Sequence, residues 1–308
     1  MSASDSAPRP LPGPRARATD LSETTFNLLR GLIADRIGVF FDDAKRDMLA
    51  DKLSEAIAAR GLSSYLDYYY LLRYDAEAER HWAELANRLA VPETYFWRQA
   101  EHFEALAGII VPRHFEESPG SRLRIWSAAC CTGEEPLSIA IALAEARWLE
   151  RSPIEIVASD ASPALIERAR QGLYGERSFR SLPQALRDKY FRREDGRWRI
   201  DRGVHERVRW TVANLMNADE IAPLATADVI FCRNVFIYFS TEAIQRVVRH
   251  FGASMPLGGH LFLGAAESLT RLTTGFVLEQ AGQAFVYVNR RTPGPGPRAR
   301  PSAVEPGA

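Results

Sequence analysis

Cysteine is scarce in this chain of 308 residues, and neither sign of charge is in excess. The three cysteines are Cys130, Cys131 and Cys232, which are too few for a disulfide framework and fit the reducing environment of a cytoplasm. Lysine plus arginine and aspartate plus glutamate number 39 each, so a protein that mainly binds nucleic acid is not expected. The six histidines have no ligand spacing relative to the cysteines, so the sequence predicts no metal site.

Long apolar runs are also missing. No stretch approaches the ~18 apolar residues of a membrane-spanning helix, so no membrane insertion is expected. The N-terminus lacks the apolar core of a secretory signal, and we therefore expect a cytoplasmic protein. Residues 1–19 and 291–308 are rich in proline and show no helical or strand periodicity, so both are predicted to be disordered tails.

Helical periodicity dominates residues 20–90, where apolar side chains recur every three to four positions in four segments. The second segment, Ala44 to Arg60, predicts a helix whose buried face is Met48, Leu49, Leu53 and Ile57. The four segments predict an N-terminal all-α domain. A linker over residues 91–118 follows, in which Pro92 interrupts the helices before an amphipathic helix resumes.

From residue 119 to residue 290 the pattern changes to strands that alternate with helices. Five strands are predicted near residues 123–128, 154–160, 208–212, 228–232 and 259–263, followed by a closing hairpin of 276–280 and 284–288. This alternation predicts an α/β fold with a mostly parallel, Rossmann-like sheet that binds its ligand at the carboxyl edge.

The α/β region contains an insertion of about residues 173–207. Within it, Phe191 to Ile200 has the pattern of a β-hairpin, with Asp195 and Gly196 as a two-residue turn. The sequence therefore predicts a small inserted β-subdomain between two strands of the main sheet.

The loop after the first strand carries an unusual pair of acids. Gly133 allows a turn, Glu134 and Glu135 follow it, and Pro136 suits the first turn of a helix. Two carboxylates at this position would repel a pyrophosphate but suit a cationic ligand end, such as the ammonium and sulfonium of S-adenosylmethionine (AdoMet). The alternative is that both glutamates only complement the helix dipole at a solvated N-terminus.

Polar residues follow each of the first four strands of the main sheet. They are Glu135, Asp160, Asn214 and Asn234. Because parallel strands end at the same edge of a sheet, we expect these four residues to surround one ligand site.

Several longer motifs occur in one order along the chain. They are Arg124-Ile-Trp-Ser-Ala-Ala129 with Thr132-Gly-Glu-Glu-Pro136, Ala158-Ser-Asp160, Phe179-Arg-Ser-Leu-Pro183 with Lys189-Tyr-Phe191, Val229-Ile-Phe-Cys-Arg-Asn-Val235 with Ile237-Tyr-Phe239, and Gly264 to Ser268. With these motifs the chain resembles, over about residues 20–290, the CheR family of chemoreceptor glutamate methyltransferases. The resemblance implies a class I AdoMet-dependent methyltransferase sheet behind an all-α domain.

The resemblance also implies the reaction and its partners. AdoMet would be the methyl donor, S-adenosylhomocysteine the product, and a glutamate side chain of a chemoreceptor the acceptor. The partner would be the cytoplasmic domain of a chemoreceptor or a related signalling receptor, and the enzyme itself would be a monomer. Two other functions remain open on the residues alone, a small-molecule methyltransferase of the same fold and a non-catalytic AdoMet-binding scaffold.

Site residues are implied by the same family motifs. The catalytic residues would be Arg98, which would hold the acceptor carboxylate, and Tyr238, which would lie beside the methyl group. Glu135 would bind the methionine ammonium and Asp160 the ribose hydroxyls. The full set of cofactor contacts would be Thr94, Arg98, Glu135, Asp160, Asn214, Leu215, Arg233 and Asn234.

Each of these residue types also has an ordinary structural explanation. Thr94 and Tyr95 could cap and pack the linker helix, and Arg98 could pair with a surface carboxylate. Tyr238 could be a core aromatic residue with a satisfied hydroxyl, and the adjacent cysteines could be small packing residues.

The chain departs from the family pattern at one polar cofactor contact, before Thr94, and in places that concern docking. Ala90-Val-Pro92 replaces a polar Thr-Thr-Asn of the enteric members, and the helix predicted at Ala44 to Arg60 mixes acids with bases where the family's receptor-facing helix is often more basic. Some members bind a peptide from the receptor C-terminus as an added strand, beneath a longer glycine-containing loop. Because the Asp195-Gly196 turn leaves no room for such a loop, we expect no C-terminal pentapeptide tether.

Overall fold

The structure, a computed structural model, describes residues 20–272 and 275–290. The tails predicted at residues 1–19 and 291–308 lie outside the described residues. No helix of the described part is long and apolar enough to cross a membrane.

The described chain divides into two units. The first contains the chain up to Ile33 and Phe40–Leu89, and the second contains Ala34–Val39 and the chain from Ala90 onward. The first unit is all-α, as predicted. Its helices are α1 (Glu23–Ile37, whose last turn belongs to the second unit), α2 (Arg46–Ala59), α3 (Tyr65–Tyr74) and α4 (Ala78–Leu89).

Helix α2 buries three of the four residues that were predicted for its core face. Met48 is 49% exposed, whereas Leu49, Leu53 and Ile57 are buried. Adjacent helical residues point about 100° apart, so Met48 lies off the stripe that the buried residues form. The prediction is therefore confirmed for Leu49, Leu53 and Ile57 and wrong for Met48.

Seven strands form the main sheet of the second unit in the order β6–β2–β1–β7–β8–β10–β9. They are β1 (Leu123–Ala128), β2 (Ile154–Asp160), β6 (Val208–Val212), β7 (Val229–Phe231), β8 (His260–Phe262), β9 (Phe276–Ala281) and β10 (Ala284–Asn289). The first five of these pair in parallel, and β10 runs antiparallel to both of its neighbours. The predicted α/β sheet with a closing hairpin is therefore confirmed.

Side chains of β1 alternate between two apolar layers, one on each face of the sheet. Leu123 and Ile125 pack in one layer, while Trp126 and Ala128 pack in the other. The Trp126 ring meets the edge of Phe251 at a centroid distance of 5.4 Å, an arrangement that aromatic pairs favour. Because β1 is buried on both faces, its carboxyl end is held firmly at the point where the strand order reverses between β1 and β7.

Helices cover both faces of this sheet. They are α5 (Ala100–Ala105), α6 (Val111–Glu117), α7 (Glu134–Glu145), α8 (Trp148–Arg151), α9 (Pro163–Gln171), α10 (Gln184–Tyr190), α11 (Arg202–His205), α12 (Ala218–Ile221) and α13 (Thr241–Ser254). The helix predicted from Ala100 onward is interrupted by a π-helical segment, Leu106–Ile110, between α5 and α6.

The inserted region forms a second, three-stranded antiparallel sheet in the order β3–β5–β4. Its strands are β3 (Leu173–Tyr174), β4 (Phe191–Glu194) and β5 (Arg197–Ile200). Asp195 and Gly196 have φ angles of 47° and 77°, and two positive φ values are what a type I′ turn requires. The predicted hairpin and its turn are thus confirmed.

Candidate active site

The loop after β1 places backbone donors at the carboxyl edge of the sheet. Ala129, Cys131 and Gly133 all have positive φ angles, of 57°, 53° and 95°. The resulting bends aim the Cys131 N–H at Asp160 Oδ2, 2.9 Å away. The first turn of α7 therefore begins beside the end of β2.

Asp160 ends β2, and each of its carboxylate oxygens accepts a backbone hydrogen bond. Oδ2 accepts from Cys131 N–H and Oδ1 accepts from Ser162 N–H, both at 2.9 Å. Burial raises the pKa of Asp160, while these N–H donors act in the opposite direction. Each oxygen has a second lone pair, so the carboxylate can still accept hydroxyl groups from a ligand.

The two adjacent glutamates at the start of α7 diverge. Glu135 turns toward the sheet edge, where its Oε1 accepts from the Ser127 hydroxyl at 2.7 Å. Glu134 turns toward the inserted subdomain and accepts from the hydroxyls of Thr132 and Ser178 at 2.7 and 2.9 Å. Glu134 is 3% exposed, so a solvated helix end does not describe this pair. Glu135 alone lies where a cationic ligand could meet it.

Arg233, which follows β7, contacts two separate parts of the site through its side chain. Its side chain is 1% exposed, and its Nη1 lies 3.3 Å from Glu135 Oε2. Its Nη2 donates to the Arg98 carbonyl oxygen and, at 2.9 Å, to Gln99 Oε1. Burial raises the pKa of Glu135 and the facing Arg233 guanidinium lowers it. Arg233 thus joins the Glu135 carboxylate to the segment that carries Arg98.

The segment from Thr94 to Gln99 is held by backbone contacts. Trp97 N–H donates to the Ser138 hydroxyl at 3.0 Å, and both Trp97 and Gln99 have positive φ angles. Helix α5 begins at Ala100 with Gln99 as its cap residue, so Thr94 does not cap the linker helix.

Within the same segment, the Arg98 side chain bonds to a carbonyl group. Its Nη1 donates to the Glu93 carbonyl oxygen at 3.1 Å, and its guanidinium lies 5.3 Å from the centre of the Tyr95 ring. No salt bridge to a carboxylate is present for Arg98 within residues 20–272 and 275–290, so its charge is available to an acidic ligand.

The loop after β7 is clamped by a carboxylate that the sequence did not single out for the site. Asn234 has a φ of 60°, and its N–H donates to Glu267 Oε2 at 2.7 Å. Phe236 N–H donates to Glu267 Oε1, and Gly264 N–H to Oε2, each at 2.7 Å. This clamp fixes the short helical turn that ends at the half-buried Tyr238.

The structure brings Asn214 to the same sheet edge, but its side chain is already engaged. Asn214 Nδ2 donates to the Arg36 carbonyl oxygen at 2.7 Å, and its Oδ1 accepts from Met216 N–H at 3.0 Å. Leu215 is buried beside it. Asn214 therefore shapes the loop after β6, and its amide is committed to protein contacts.

Comparison with known families agrees with this arrangement. The model described as "CheR methyltransferase, SAM binding domain" matches residues 92–285, which is more than half of the chain. The model described as "CheR methyltransferase, all-alpha domain" matches residues 24–90.

The chain belongs to the CheR methyltransferase family.

Three curated CheR relatives illustrate the similarity. Chemotaxis protein methyltransferase 2 of Vibrio cholerae is 36% identical over 270 residues, which cover 87% of this chain and 93% of that protein. The chemotaxis protein methyltransferase of Klebsiella aerogenes is 33% identical over 267 residues, covering 85% and 89%. The probable biofilm formation methyltransferase WspC of Pseudomonas aeruginosa is 36% identical over 224 residues, covering 73% and 52%. The resemblance inferred from the motifs is confirmed, and the bound cofactor of this family's domain is AdoMet.

Sequence reasoning missed several residues that build this CheR site. Gln99 and Glu267 carry the contacts described above, and neither was assigned to the site. A signal existed for Glu267, because it lies in the motif Gly264 to Ser268, directly after a predicted strand. For Gln99 no signal existed, because its role depends on a positive φ and on a partner far along the chain.

Gly133 provides a test of the cofactor loop in this CheR protein. A Cβ at this position would lie 2.8 Å from the Trp210 ring, and its φ of 95° strains any other residue. We expect Gly133→Ala to lower the unfolding free energy by about 1–3 kcal/mol. Calorimetry should also show an about tenfold weaker binding of S-adenosylhomocysteine.

The matched control for that substitution is Gly175→Ala. Gly175 has a negative φ of −88°, and nothing lies within 4 Å of an added Cβ there. We expect this variant to match the wild type in both measurements. Wild-type stability and affinity in Gly133→Ala would show that the loop geometry does not depend on glycine.

Proposed function

We propose that this protein transfers the methyl group of AdoMet to glutamate side chains of a chemoreceptor, giving glutamate methyl esters for sensory adaptation. We further propose that it acts as a cytoplasmic monomer on the receptor's cytoplasmic domain. The observation that carries the proposal is the Arg233 connection, because it couples the carboxylate suited to the cofactor's cationic end with the backbone of the cationic Arg98. Membership in the CheR family supports the same reaction.

The residues at the sheet edge fit the amino acid end of AdoMet and its ribose. Its amino acid end carries one ammonium and one carboxylate, and Glu135 with Arg233 offers the complementary charges. The buried Arg233 Nε has no hydrogen-bond partner among the described residues, which leaves a donor for the cofactor carboxylate. Asp160 would accept the ribose hydroxyls, as acids at the ends of second strands do in dinucleotide folds.

The remaining proposed cofactor contacts are less polar than these. Because the Asn214 amide is engaged by the protein, we assign the adenine to the buried Leu215 and to the loop backbone around it. Thr94 and Asn234, both half-buried, complete the proposed set of cofactor contacts.

The chemistry requires little proton transfer. A glutamate side chain has an unperturbed pKa of about 4.3, so the acceptor is already ionised at neutral pH and needs no general base. Glu135, Arg233 and Asp160 would hold AdoMet, which would supply a methyl group carried by a positively charged sulfur. The acceptor carboxylate oxygen would form the new O–C bond, and the sulfur would keep the electron pair of the broken C–S bond. The protein's task is to desolvate and align the acceptor.

Arg98 and Tyr238 are the residues we assign to that alignment. A guanidinium offers a bidentate fork that matches a carboxylate, and no carboxylate among the described residues forms a salt bridge with Arg98. Tyr238 is half-buried at the end of the loop that Glu267 clamps, so its ring can restrict the approach of the acceptor. Correct orientation of this kind can supply up to roughly 7–11 kcal/mol of the barrier.

Labelled AdoMet tests this proposal. Incubation with receptor-containing membranes should place label on the receptor, and mild base should release it, because carboxyl methyl esters are base-labile. Label recovered only in small molecules would indicate a small-molecule methyltransferase. AdoMet binding without any transferred label would indicate a non-catalytic scaffold.

Receptor docking without a peptide tether is a separate prediction. The hairpin β4–β5 closes in a two-residue turn, and Glu194 Oε1 accepts from Arg199 at 2.5 Å. The centre of the Trp198 ring lies 5.0 Å from the Arg193 guanidinium and 3.9 Å from that of Arg187 in α10. We expect C-terminal receptor peptides to bind no tighter than about 100 µM in calorimetry, no better than scrambled peptides. Low-micromolar binding that is lost on deleting residues 194–198 would show this prediction to be wrong.

A further inference from the structure

A second arginine lies beside Arg98 in the folded protein. The Arg180 guanidinium sits 3.6 Å from the centre of the Tyr95 ring, and the Arg98 guanidinium lies 5.3 Å from the same centre. One aromatic ring therefore bears two cations, an arrangement in which each guanidinium gains from the negative ring face.

Buried contacts behind these side chains fix the position of Arg180. Phe96 N–H donates to the Ser178 carbonyl oxygen at 2.8 Å, and the Phe96 ring stacks on Phe179 at a centroid distance of 5.4 Å. Both phenylalanines are buried. Because Tyr95 precedes Phe96 and Arg180 follows Phe179, this packing brings the half-buried Tyr95 ring and the exposed Arg180 side chain together.

Arg98, Arg180 and Glu93 form a charged cluster in which positive charge is in excess. Arg180 Nη2 donates to the Glu93 carboxylate at Oε1, 2.6 Å away, while Arg98 Nη1 donates to the Glu93 carbonyl oxygen at 3.1 Å. The cluster therefore carries two guanidinium charges and one carboxylate charge. Both members of the ion pair are exposed, Arg180 at 44% and Glu93 at 62%, so a ligand carboxylate can replace Glu93 at little cost.

We propose that Arg180 is a specificity-determining residue that binds an acidic side chain of the protein substrate close to the acceptor glutamate, displacing Glu93. This inference rests on the function proposed above, in which Arg98 faces the acceptor carboxylate. Glu93 then acts as a resident counter-ion that keeps Arg180 in place in the free enzyme and competes with the substrate. The geometry thus assigns Arg180 to substrate affinity and Arg98 to the chemical step.

This assignment makes Arg180→Ala and Glu93→Gln act in opposite directions. Loss of Arg180 removes a charge-assisted contact to the substrate, and we expect the KM for receptor to rise about tenfold with kcat within about twofold of wild type. Loss of the Glu93 charge removes the competitor, and we expect the KM to fall about two- to threefold. If the ion pair only holds the segment before α5 in shape, both substitutions must impair kcat together.

The experiment measures initial rates of methyl transfer from labelled AdoMet at varied receptor concentration, at low and high salt. The variants are Arg180→Ala, Arg180→Lys and Glu93→Gln. The matched control is Arg177→Ala, which removes an exposed arginine of the adjoining short 3-10 helix, Glu176–Phe179. Calorimetry with S-adenosylhomocysteine should give unchanged affinity for all four, and Arg180→Lys should recover part of the lost affinity for receptor.

The outcomes separate this inference from the function on which it rests. A raised KM in Arg180→Ala, a lowered KM in Glu93→Gln and a wild-type control support it. Wild-type KM in Arg180→Ala, or a parallel loss of kcat in both variants, overturns the assignment of Arg180 while leaving the methyltransferase function intact. Absence of receptor methylation by the wild-type protein overturns the proposed function, and this inference with it.

Discussion

Replacing Arg98 with alanine is expected to lower kcat for receptor methylation by about two orders of magnitude, the loss that misplacement of a reacting group can cause. The side chain donates only to the Glu93 carbonyl oxygen, so its removal breaks little of the protein's own structure. The backbone carbonyl of residue 98 would still accept from Arg233. The affinity for S-adenosylhomocysteine should therefore fall far less than the rate.

The matched control is Arg98→Lys, which keeps the charge but loses the fork. We expect a turnover between those of the wild type and the alanine variant, because a lysine binds a carboxylate through a point charge. Near wild-type turnover in Arg98→Ala, measured at saturating receptor and AdoMet, would contradict the role of Arg98 as the clamp of the acceptor.

Asp160→Ala is expected to have the largest effect on cofactor affinity. The substitution removes the proposed partner of the ribose hydroxyls and leaves the N–H groups of Cys131 and Ser162 without their acceptor. Together these losses should weaken binding of S-adenosylhomocysteine by more than tenfold, which corresponds to more than about 1.4 kcal/mol of binding free energy. Because β2 is buried within the sheet, the fold should survive, as circular dichroism and thermal unfolding can establish.

Asp160→Asn separates the contribution of the ribose contact from that of the backbone N–H contacts. An amide keeps one acceptor oxygen and presents donors at the other position, so it can hold one of the two backbone N–H groups. We expect an intermediate affinity from calorimetry. Unchanged affinity in a folded Asp160→Ala variant would remove the ribose assignment and leave this residue a purely structural role in the loop after β1.

Sequence patterns predicted those elements of the fold whose conformation is determined by residues close together in the chain. The predicted bounds of β2 and β6 agree with the structure, because β-branched and aromatic residues are concentrated within each strand. The Asp195-Gly196 turn was predictable because few residue pairs tolerate two positive φ angles. Met48 shows the limit, since an apolar residue beside a buried stripe has the same local pattern as one within it.

The candidate site was less predictable because its contacts join distant parts of the chain. Motif resemblance brought Glu135, Arg233 and Arg98 to one site, but the Arg233 bonds to the segment before α5 follow from the sheet order and not from any local pattern. Adjacent glutamates cannot be told apart by pattern, yet Glu134 serves the inserted subdomain and Glu135 the sheet edge. The engagement of Asn214 by the Arg36 carbonyl likewise depends on two residues far apart in sequence.

The most direct test of the proposed function is mass spectrometry of receptor peptides after incubation with the protein and AdoMet. We expect glutamate residues that carry one methyl ester each, which mild base removes and which form about a hundredfold more slowly when Arg98→Ala replaces the wild-type protein. Receptor peptides without methylated glutamate, at saturating AdoMet and with a folded, AdoMet-binding protein, would contradict the proposed function.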